Sequence, residues 1–228
     1  MKWHKIIKTN TGKRIAHMCR AIRAVEDAID EYIPIDVEVS SIDVSMRNDT
    51  IECRICTEPC IEYTVTVESR GFRIRISCTC RDCRDTFSYM YRDVATQFLS
   101  YALSEIGHYI FRDNEYCMIL TLDGYTMIME GFRDHTVHPS NIEIAGIAHT
   151  HPASSCAFSR RDVLTALDLL SRGSLVFCAI GIDGVLCMYR KGLLLVEDHD
   201  KLILSDSNVY TYEVLESLNL KSISFLRH

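Results

Sequence analysis

Apolar side chains recur along the chain at two spacings, one typical of helices and one typical of strands. Helical spacing covers residues 12–33 and 86–111, and a third helix is expected from Ser159 to about Ser171. Shorter apolar runs bounded by turn residues predict strands. These runs are residues 36–46, 61–69, 71–77, 115–130, 141–151, 175–182, 184–190 and 193–197, and residues 211–226 read as a short helix and strand.

The order of these elements predicts an α/β (α+β) chain in two parts. Residues 1–85 hold a helix and a small cysteine-bearing β unit, whose two strands turn at Arg70–Gly71. Residues 86–228 hold a larger α/β domain with a C-terminal tail. Its first two strands form a hairpin around Asp123–Gly124, a dipeptide typical of tight turns between strands.

Composition narrows the class of protein. The chain has 228 residues, of which 47% are hydrophobic and 25% charged, as in ordinary globular domains. Its formal net charge of -6 gives no overall attraction to nucleic acid or anionic lipid. No apolar run reaches the 18 residues of a membrane span, and no secretory signal is recognisable. We therefore expect a cytoplasmic location and no membrane partner.

Two histidines one residue apart stand at the end of the apolar run 141–151. Alternate residues of a strand project from the same face, so His149 and His151 are expected to point the same way. Pro152 cannot donate to a strand ladder and should end the strand. Asp162 falls in the first turn of the next predicted helix. Two imidazoles and a carboxylate, with a fourth position left for water, form the arrangement of a catalytic zinc site.

Parts of this pattern also have a purely structural interpretation. Ser159-x-x-Asp162 is close to a capping box, with serine at the N-cap and an acid at the third helical position. An isolated His-x-His pair is a weak metal signal. The combination is more specific, because His-Thr-His-Pro is followed after six residues by Ser-x-x-Asp at a strand-to-helix transition.

The segments HTHP (149–152) and SRRD (159–162) together resemble the motif of the JAMM (MPN+) metalloproteases: His-Ser/Thr-His-Pro, a spacer and Ser-x-x-Asp. The resemblance covers about residues 86–200 and implies an MPN/JAB-type domain with a mixed, curved sheet flanked by helices. It also implies zinc-dependent hydrolysis of peptide or isopeptide bonds, at the C-terminus of a ubiquitin-like or sulfur-carrier protein. By this resemblance His149, His151 and Asp162 bind the catalytic zinc, and Ser159 helps to stabilise the oxyanion.

The same family uses an upstream glutamate as general base, and two residues are candidates. Glu115 follows the predicted break of the second helix and opens the hairpin, as the family pattern requires. Glu105 lies inside the predicted helix and is the alternative. A carboxylate in this role takes a proton from the attacking water and later delivers it to the leaving amine.

Six of the eleven cysteines fall between residues 53 and 83. Four of them form the spacing C-x2-C-x23-C-x2-C on either side of a predicted hairpin; they are Cys53, Cys56, Cys80 and Cys83. That spacing is typical of a zinc ribbon, in which four thiolates surround a structural zinc ion. The alternative is a set of buried or reduced free cysteines. Cys60 and Cys78 flank the hairpin and could pair or replace a ligand.

The sequence thus predicts a cytoplasmic metallopeptidase with one catalytic and one structural zinc ion. One alternative is a non-catalytic MPN-type scaffold whose zinc ribbon recruits partners. Another is a nucleic-acid-associated protein that binds through the ribbon, which the net charge of -6 disfavours. Cys156, in the loop after the histidines, and Cys178, on the next strand, are either separate buried cysteines or a disulfide pair.

Overall fold

The computed structural model describes residues 2–80, 83–131, 142–205 and 207–228, with the backbone alone described at positions 2 and 3. By their contacts, the residues divide into two compact units. The first unit comprises Met1–His17 and Arg92–His228, and the second comprises Met18–Tyr91. The domains predicted from the sequence, 1–85 and 86–228, differ from this division mainly because they place the first 17 residues in the N-terminal part.

The secondary-structure elements are numbered in chain order. The first seven are β1 (Lys2–Ile7), α1 (Asn10–Tyr32), β2 (Glu38–Arg47), β3 (Thr50–Glu58), β4 (Tyr63–Ser69), β5 (Phe72–Thr79) and α2 (Phe87–Ile106). After them come a 3-10 helix (Gly107–Phe111), β6 (Tyr116–Thr121), β7 (Thr126–Glu130), β8 (Ile144–Thr150), β9 (Phe158–Ser159), α3 (Arg160–Ser171), β10 (Val176–Gly181), β11 (Gly184–Arg190), α4 (Val196–Leu204), β12 (Val209–Tyr210), α5 (Tyr212–Ser217) and β13 (Ile223–Arg227).

The first unit is built on a seven-stranded mixed sheet in the order β1-β7-β6-β8-β10-β11-β13. Neighbouring strands are antiparallel except β8 and β10, which are parallel. Every residue of these two strands is buried, which explains why both are continuous apolar runs in the sequence. The predicted mixed sheet flanked by helices is therefore confirmed, and its central strand is β8, which carries His149 and ends directly before His151.

Helices lie against both the sheet and one another through small and apolar residues. A Cβ atom at Gly146 of β8 would fall 2.9 Å from Phe98 Cε2 of α2, so only glycine permits this close approach. Val163 and Leu170 of α3 belong to the same buried cluster as Phe177 of β10. The strand that carries the histidines is thus held tightly by its neighbours, and close packing limits its movement.

Two predicted elements differ from those of the structure, and some observed elements were not predicted. The run 193–197 is not a strand: α4 begins at Val196, and both edges of β11 are already paired, with β10 and with β13. The helix predicted to continue to Phe111 is α-helical only to Ile106 and then becomes a 3-10 helix from Gly107, a residue that weakens helices. The edge strand β1 was not predicted.

Asp198 fixes the start of α4 to the chain before β13, and its removal should destabilise the fold. The buried carboxylate accepts hydrogen bonds from the backbone N–H groups of Lys221 and Ser222 and from the Ser222 hydroxyl, at distances of 2.5–3.0 Å. We expect Asp198→Asn to lower the free energy of unfolding by about 3 kcal/mol, because charged hydrogen bonds are lost and buried donors lose partners. Asp200→Asn, on the exposed side of the same helix, should change it by less than about 0.5 kcal/mol.

The destabilisation should depend on pH in a defined direction. Burial of Asp198 disfavours its charged form, but the hydrogen bonds from Ser222 and Lys221 hold its pKa below the ordinary 3.8. A carboxyl whose pKa is depressed by folding contributes stability above its unfolded pKa and loses it as pH falls through the folded pKa. Denaturant melts should therefore show a constant gap between wild type and Asp198→Asn near neutral pH, narrowing below about pH 4. A gap of equal size at pH 3 and pH 7 would contradict the role given to the charge.

The second unit contains a four-stranded sheet in the order β2-β3-β5-β4, in which β3 and β5 are parallel and the outer pairs antiparallel. The predicted turn between β4 and β5 is confirmed, because Arg70 and Gly71 both have positive φ. One face of the sheet is apolar, with Ile51, Ile55 and Ile76 fully buried.

The small zinc-ribbon unit expected from the sequence is not confirmed. Residues 50–58, which contain the first cysteine pair, form strand β3 inside an ordinary sheet. The part of α1 in this unit contributes buried residues as well, among them Ile22 and Val25, and Arg70 Nε lies 2.6 Å from Asp27 Oδ2. The unit therefore has a hydrophobic core of its own, which a bare ribbon lacks.

Across the described ranges, every helix is too short or too polar to traverse a lipid bilayer.

Candidate metal centre

His149 of β8 and His151, which directly follows the strand, converge as the strand period predicts. His149 Nε2 and His151 Nε2 lie 2.8 Å apart, beyond the carboxyl end of the central strand. His149 sits opposite Cys117 of β6 and Ala179 of β10, so strands flank it on both sides. The His149 side chain is 5% exposed and that of His151 is 13% exposed. The pair therefore lies at the edge of the core, within reach of solvent.

Asp162 completes a three-residue group with the histidines. Its Oδ1 lies 3.3 Å from His149 Nε2, and its Oδ2 lies 3.5 Å from His151 Nε2. Within the described parts of the chain, this is the one group of three or more His, Cys, Asp or Glu side chains whose ligand atoms all lie within 4.8 Å of one another. The residues singled out in the sequence as zinc ligands are thus brought together in space.

The start of α3 positions Asp162 through a capping box. The Ser159 hydroxyl accepts from the Asp162 N–H at 3.2 Å, while the Asp162 carboxylate accepts from the Ser159 N–H at 2.8 Å. The Ser159 hydroxyl also lies 2.7 Å from Asp162 Oδ2, to which it can donate. The capping interpretation of Ser159-x-x-Asp162 is confirmed, and it is compatible with the metal interpretation, because the cap that begins the helix also orients the carboxylate toward the histidines.

A loop behind His151 fixes the orientation of its ring. His151 Nδ1 lies 3.0 Å from the carbonyl oxygen of Ser155, which favours a proton on Nδ1 and leaves the Nε2 lone pair directed at the site. A Cβ at Gly181 would fall 2.3 Å from the backbone nitrogen of Cys156, so the loop can approach the strand this closely only because residue 181 is glycine. The loop is further held by Asp183, whose Oδ1 accepts from the Cys156 N–H at 2.7 Å.

Charges at the site favour a cation. Burial lowers the pKa of His149 below 6.5, so that its imidazole is neutral at pH 7. Burial also acts against the charged form of His151, but its interactions with Asp162, Ser155 and Glu115 raise its pKa overall. Burial disfavours the Asp162 carboxylate, yet the hydrogen bonds from both histidines and Ser159 hold its pKa far below the ordinary range. The group therefore presents one fixed negative charge beside imidazole nitrogens.

The two glutamates considered as general base have different surroundings. Glu115 precedes β6 and is 9% exposed, and its charge acts on His151 at the centre. Glu105 forms an ion pair with Lys5 of β1, with a separation of 3.0 Å between Nζ and Oε2. Of the two, the carboxylate with a described interaction at the metal centre is that of Glu115.

The structure does not gather the four cysteines predicted for a zinc ribbon. Cys53 and Cys56 are three residues apart on β3, so they face opposite sides of the sheet. Cys53 is 2% exposed and lies between Val44 of β2 and Ile76 of β5. Burial raises the pKa of the Cys53 thiol to about 12, which favours the thiol over the thiolate that zinc binds.

Other cysteines and histidines are placed as follows. Cys56 forms a disulfide with Cys83, and Cys60 forms one with Cys80, whereas Cys78 is a buried free cysteine. Cys178 pairs with Cys187 of β11 and Cys156 is free and buried, so the suggested Cys156–Cys178 bridge is absent. His135 and His138, which the sequence suggested as exposed loop residues, lie outside the described residues.

The groups that fix the positions of the two histidines were not identified from the sequence. The Ser155 carbonyl is a backbone atom and leaves no signal in the residue type. Gly181 could have been noticed as a glycine within a buried strand, a position that indicates close approach of another backbone. Thr150, whose hydroxyl accepts from the Tyr116 N–H at 2.9 Å, was read only as the residue between the histidines.

Comparison of the chain with models of protein families, with curated proteins and with solved structures finds no match.

Proposed function

We propose that the chain is a zinc-dependent hydrolase of peptide or isopeptide bonds. The observation that carries this proposal is the convergence of His149, His151 and Asp162. His149 lies on β8, His151 directly follows that strand, and Asp162 lies on the following helix. The donor set fits zinc, which accepts imidazole nitrogen and carboxylate oxygen, and three protein ligands are typical of a catalytic site. The resemblance of HTHP and SRRD to the JAMM motif supports the same class of reaction.

Each residue has a defined task in this proposal. His149, His151 and Asp162 would hold the ion, which when bound supplies Lewis-acid polarisation of the carbonyl and acidifies water. The Glu115 carboxylate takes a proton from the attacking water and returns it to the leaving amine. The Ser159 hydroxyl can turn from Asp162 to donate to the developing oxyanion.

The proposal also includes a class of substrate. The resemblance points to a ubiquitin-like or sulfur-carrier protein cleaved after its carboxyl terminus, and the expected setting is cytoplasmic. The test uses the full-length chain, loaded with zinc or stripped by a chelator. Its substrates are a ubiquitin-like protein fused to a reporter and an isopeptide-linked dimer. Cleavage directly after the ubiquitin-like carboxyl terminus, lost on stripping and restored by zinc, is the expected result.

A non-catalytic scaffold is the rival that the same experiment separates. If His149, His151 and Asp162 bind zinc and no cleavage of either substrate or of an unrelated protein mixture occurs, the group holds a structural metal. If the chain binds no metal through these residues, the arrangement is a capped helix beside two histidines, and the hydrolase proposal fails.

Ser159→Ala should separate the two roles of the serine. Loss of the N-cap should lower the free energy of unfolding by about 1 kcal/mol. Loss of an oxyanion donor should lower kcat by about 10²–10³-fold. Urea melts and kcat at saturating substrate measure the two effects independently. Thr211→Ala, which removes the N-cap of the short helix α5, is the matched control and should change stability alone. An unchanged kcat in Ser159→Ala would leave the serine with only its capping role.

A further inference from the structure

Four cysteines of the second unit line one polar cavity of about 280 Å³. They are Cys56, Cys60, Cys80 and Cys83. Ser40, Ser41, Thr57, Glu58 and Thr79 supply the rest of the lining, so the cavity has no large apolar side chain. All of these residues belong to Met18–Tyr91, and the cavity is separate from the histidine centre.

The topology of the sheet explains why these cysteines meet. Strands β3 and β5 are parallel neighbours, so their carboxyl ends lie at the same edge of the sheet, with Cys56 opposite Thr79. Cys60 follows the end of β3, and Cys80 follows the end of β5. The Cα atoms are 5.9 Å apart for Cys56 and Cys83 and 5.1 Å apart for Cys60 and Cys80.

Exposure separates two of these cysteines, Cys60 and Cys80, from the buried Cys56 and from the cysteines elsewhere in the described residues. Five other cysteines of the described residues are all buried, as is usual for cysteines with a packing role: Cys19, Cys53, Cys78, Cys117 and Cys156. Cys60 and Cys80, in contrast, are exposed. Exposed cysteines that lie beside two further cysteines indicate a chemical role, because a thiol left free on the surface is reactive.

We propose that the reduced chain binds one zinc ion through Cys56, Cys60, Cys80 and Cys83. The ligand spacing is then C-x3-C followed by C-x2-C, which lies within the range of structural zinc sites. The site differs from the sequence prediction in one ligand, Cys60 in place of the buried Cys53. It is independent of the hydrolase proposal, because it uses none of the same residues.

Zinc binding at this site begins with reduction of the two disulfides. In the structure the four sulfurs are joined as two disulfides, and a thiol reductant must supply four electrons and four protons to give four thiols. Zinc then replaces the four thiol protons, which are released. In a closed site each Zn–S bond is about 2.3 Å, so the four sulfurs must rotate into the shared cavity to reach tetrahedral positions. The bound ion would join the ends of β3 and β5.

Cobalt substitution tests the proposal without reliance on activity. The full-length chain, reduced, stripped of metal and kept free of oxygen, is titrated with Co²⁺, and thiolate-to-cobalt charge-transfer absorption in the near ultraviolet is measured. The histidine centre has no sulfur ligand and does not produce this band. In a His149→Ala chain, whose histidine centre no longer competes for the metal, we expect the band to saturate at one equivalent and to disappear when zinc is added.

Two matched variants decide the ligand set. Cys60→Ala should weaken Co²⁺ binding at the sulfur site by more than about 10-fold and reduce the band, since even outer-shell losses cost 10-fold or more. Cys53→Ala should leave both unchanged. Cys80→Ala is a second exposed variant, and circular dichroism checks the fold of each.

Three outcomes would overturn the proposal. The first is the absence of a thiolate band in the reduced wild-type chain. The second is loss of the band in Cys53→Ala with the band intact in Cys60→Ala, which would restore the ribbon set of the sequence. The third is persistence of both disulfides in excess reductant, measured by mass after thiol alkylation, which would give the four cysteines a purely covalent role.

Discussion

A Glu115→Gln chain should bind zinc at the histidine centre as tightly as wild type and yet hydrolyse a ubiquitin-like fusion about 10²–10⁴-fold more slowly, the usual contribution of a positioned acid–base group. Glutamine keeps the size and shape of the side chain but cannot accept and return a proton. Glu115 is nearly buried directly before β6, and its charge contributes to the raised pKa of His151, which supports its assignment as the base. The measurements are kcat at saturating substrate and zinc content.

Glu105→Gln is the matched control for this experiment. Its carboxylate is paired with Lys5, so the change should remove one partly exposed ion pair and cost less than about 1 kcal/mol of stability. Its kcat should stay within about twofold of wild type. If Glu105→Gln loses turnover while Glu115→Gln keeps it, the alternative assignment of the base is correct. If neither variant changes kcat, neither glutamate is the base.

His149→Ala should lose one equivalent of zinc and all measurable hydrolysis. Loss of an outer-shell partner costs about 10–100-fold in metal affinity, so loss of a ligand should cost more than about 100-fold. The His149 side chain is nearly enclosed and bridges His151 and Asp162, and its removal leaves these two without a third donor. Chelator competition measures the affinity, and the same preparations are assayed for cleavage.

His199→Ala is the control for the histidine experiment. This residue lies on α4 beside Asp200, with 40% of its side chain exposed, and should affect neither zinc content nor cleavage. Because the cysteine site would bind a separate ion, zinc is counted by subtraction from wild type. An unchanged zinc content in His149→Ala, together with unchanged cleavage, would contradict the proposed metal centre. Cleavage lost with zinc retained would assign His149 another role.

The sequence predicted the metal centre better than it predicted the cysteine region, and the reason lies in periodicity. His149 and His151 share a face because the strand repeat is two, and Asp162 is fixed by the capping rules of a helix start. The strand repeat and the helix-capping rules, both local, therefore predict most of this site. What they omit is the Ser155 carbonyl, which reaches His151 only because Gly181 permits the loop to close.

The cysteine spacing was misleading because spacing alone does not show which face a residue occupies. Cys53 and Cys56 look like a ligand pair, but strand β3 turns Cys53 into the apolar side of a four-stranded sheet. Strand β3 was not predicted, because its alternating apolar and charged residues were interpreted as part of a zinc-binding turn. Similarly, the leucines at 193–195 resemble a strand in the sequence. Only the structure shows that both edges of β11 are already paired, so a further strand cannot pair with β11.

The first unit is made from two separated segments of chain, and this has a consequence for synthesis. All four strands of the other sheet lie between Glu38 and Thr79, so the ribosome releases that sheet complete before any of β6 to β13 exists. Strand β1 emerges before β2 to β13, yet its hydrogen-bonding partner is β7, with Lys2 opposite Glu130. Chains generally fold from the amino terminus as they are made. Strand β1 must instead wait, with its backbone N–H and C=O groups hydrogen-bonded to water, until the chain has grown past residue 130.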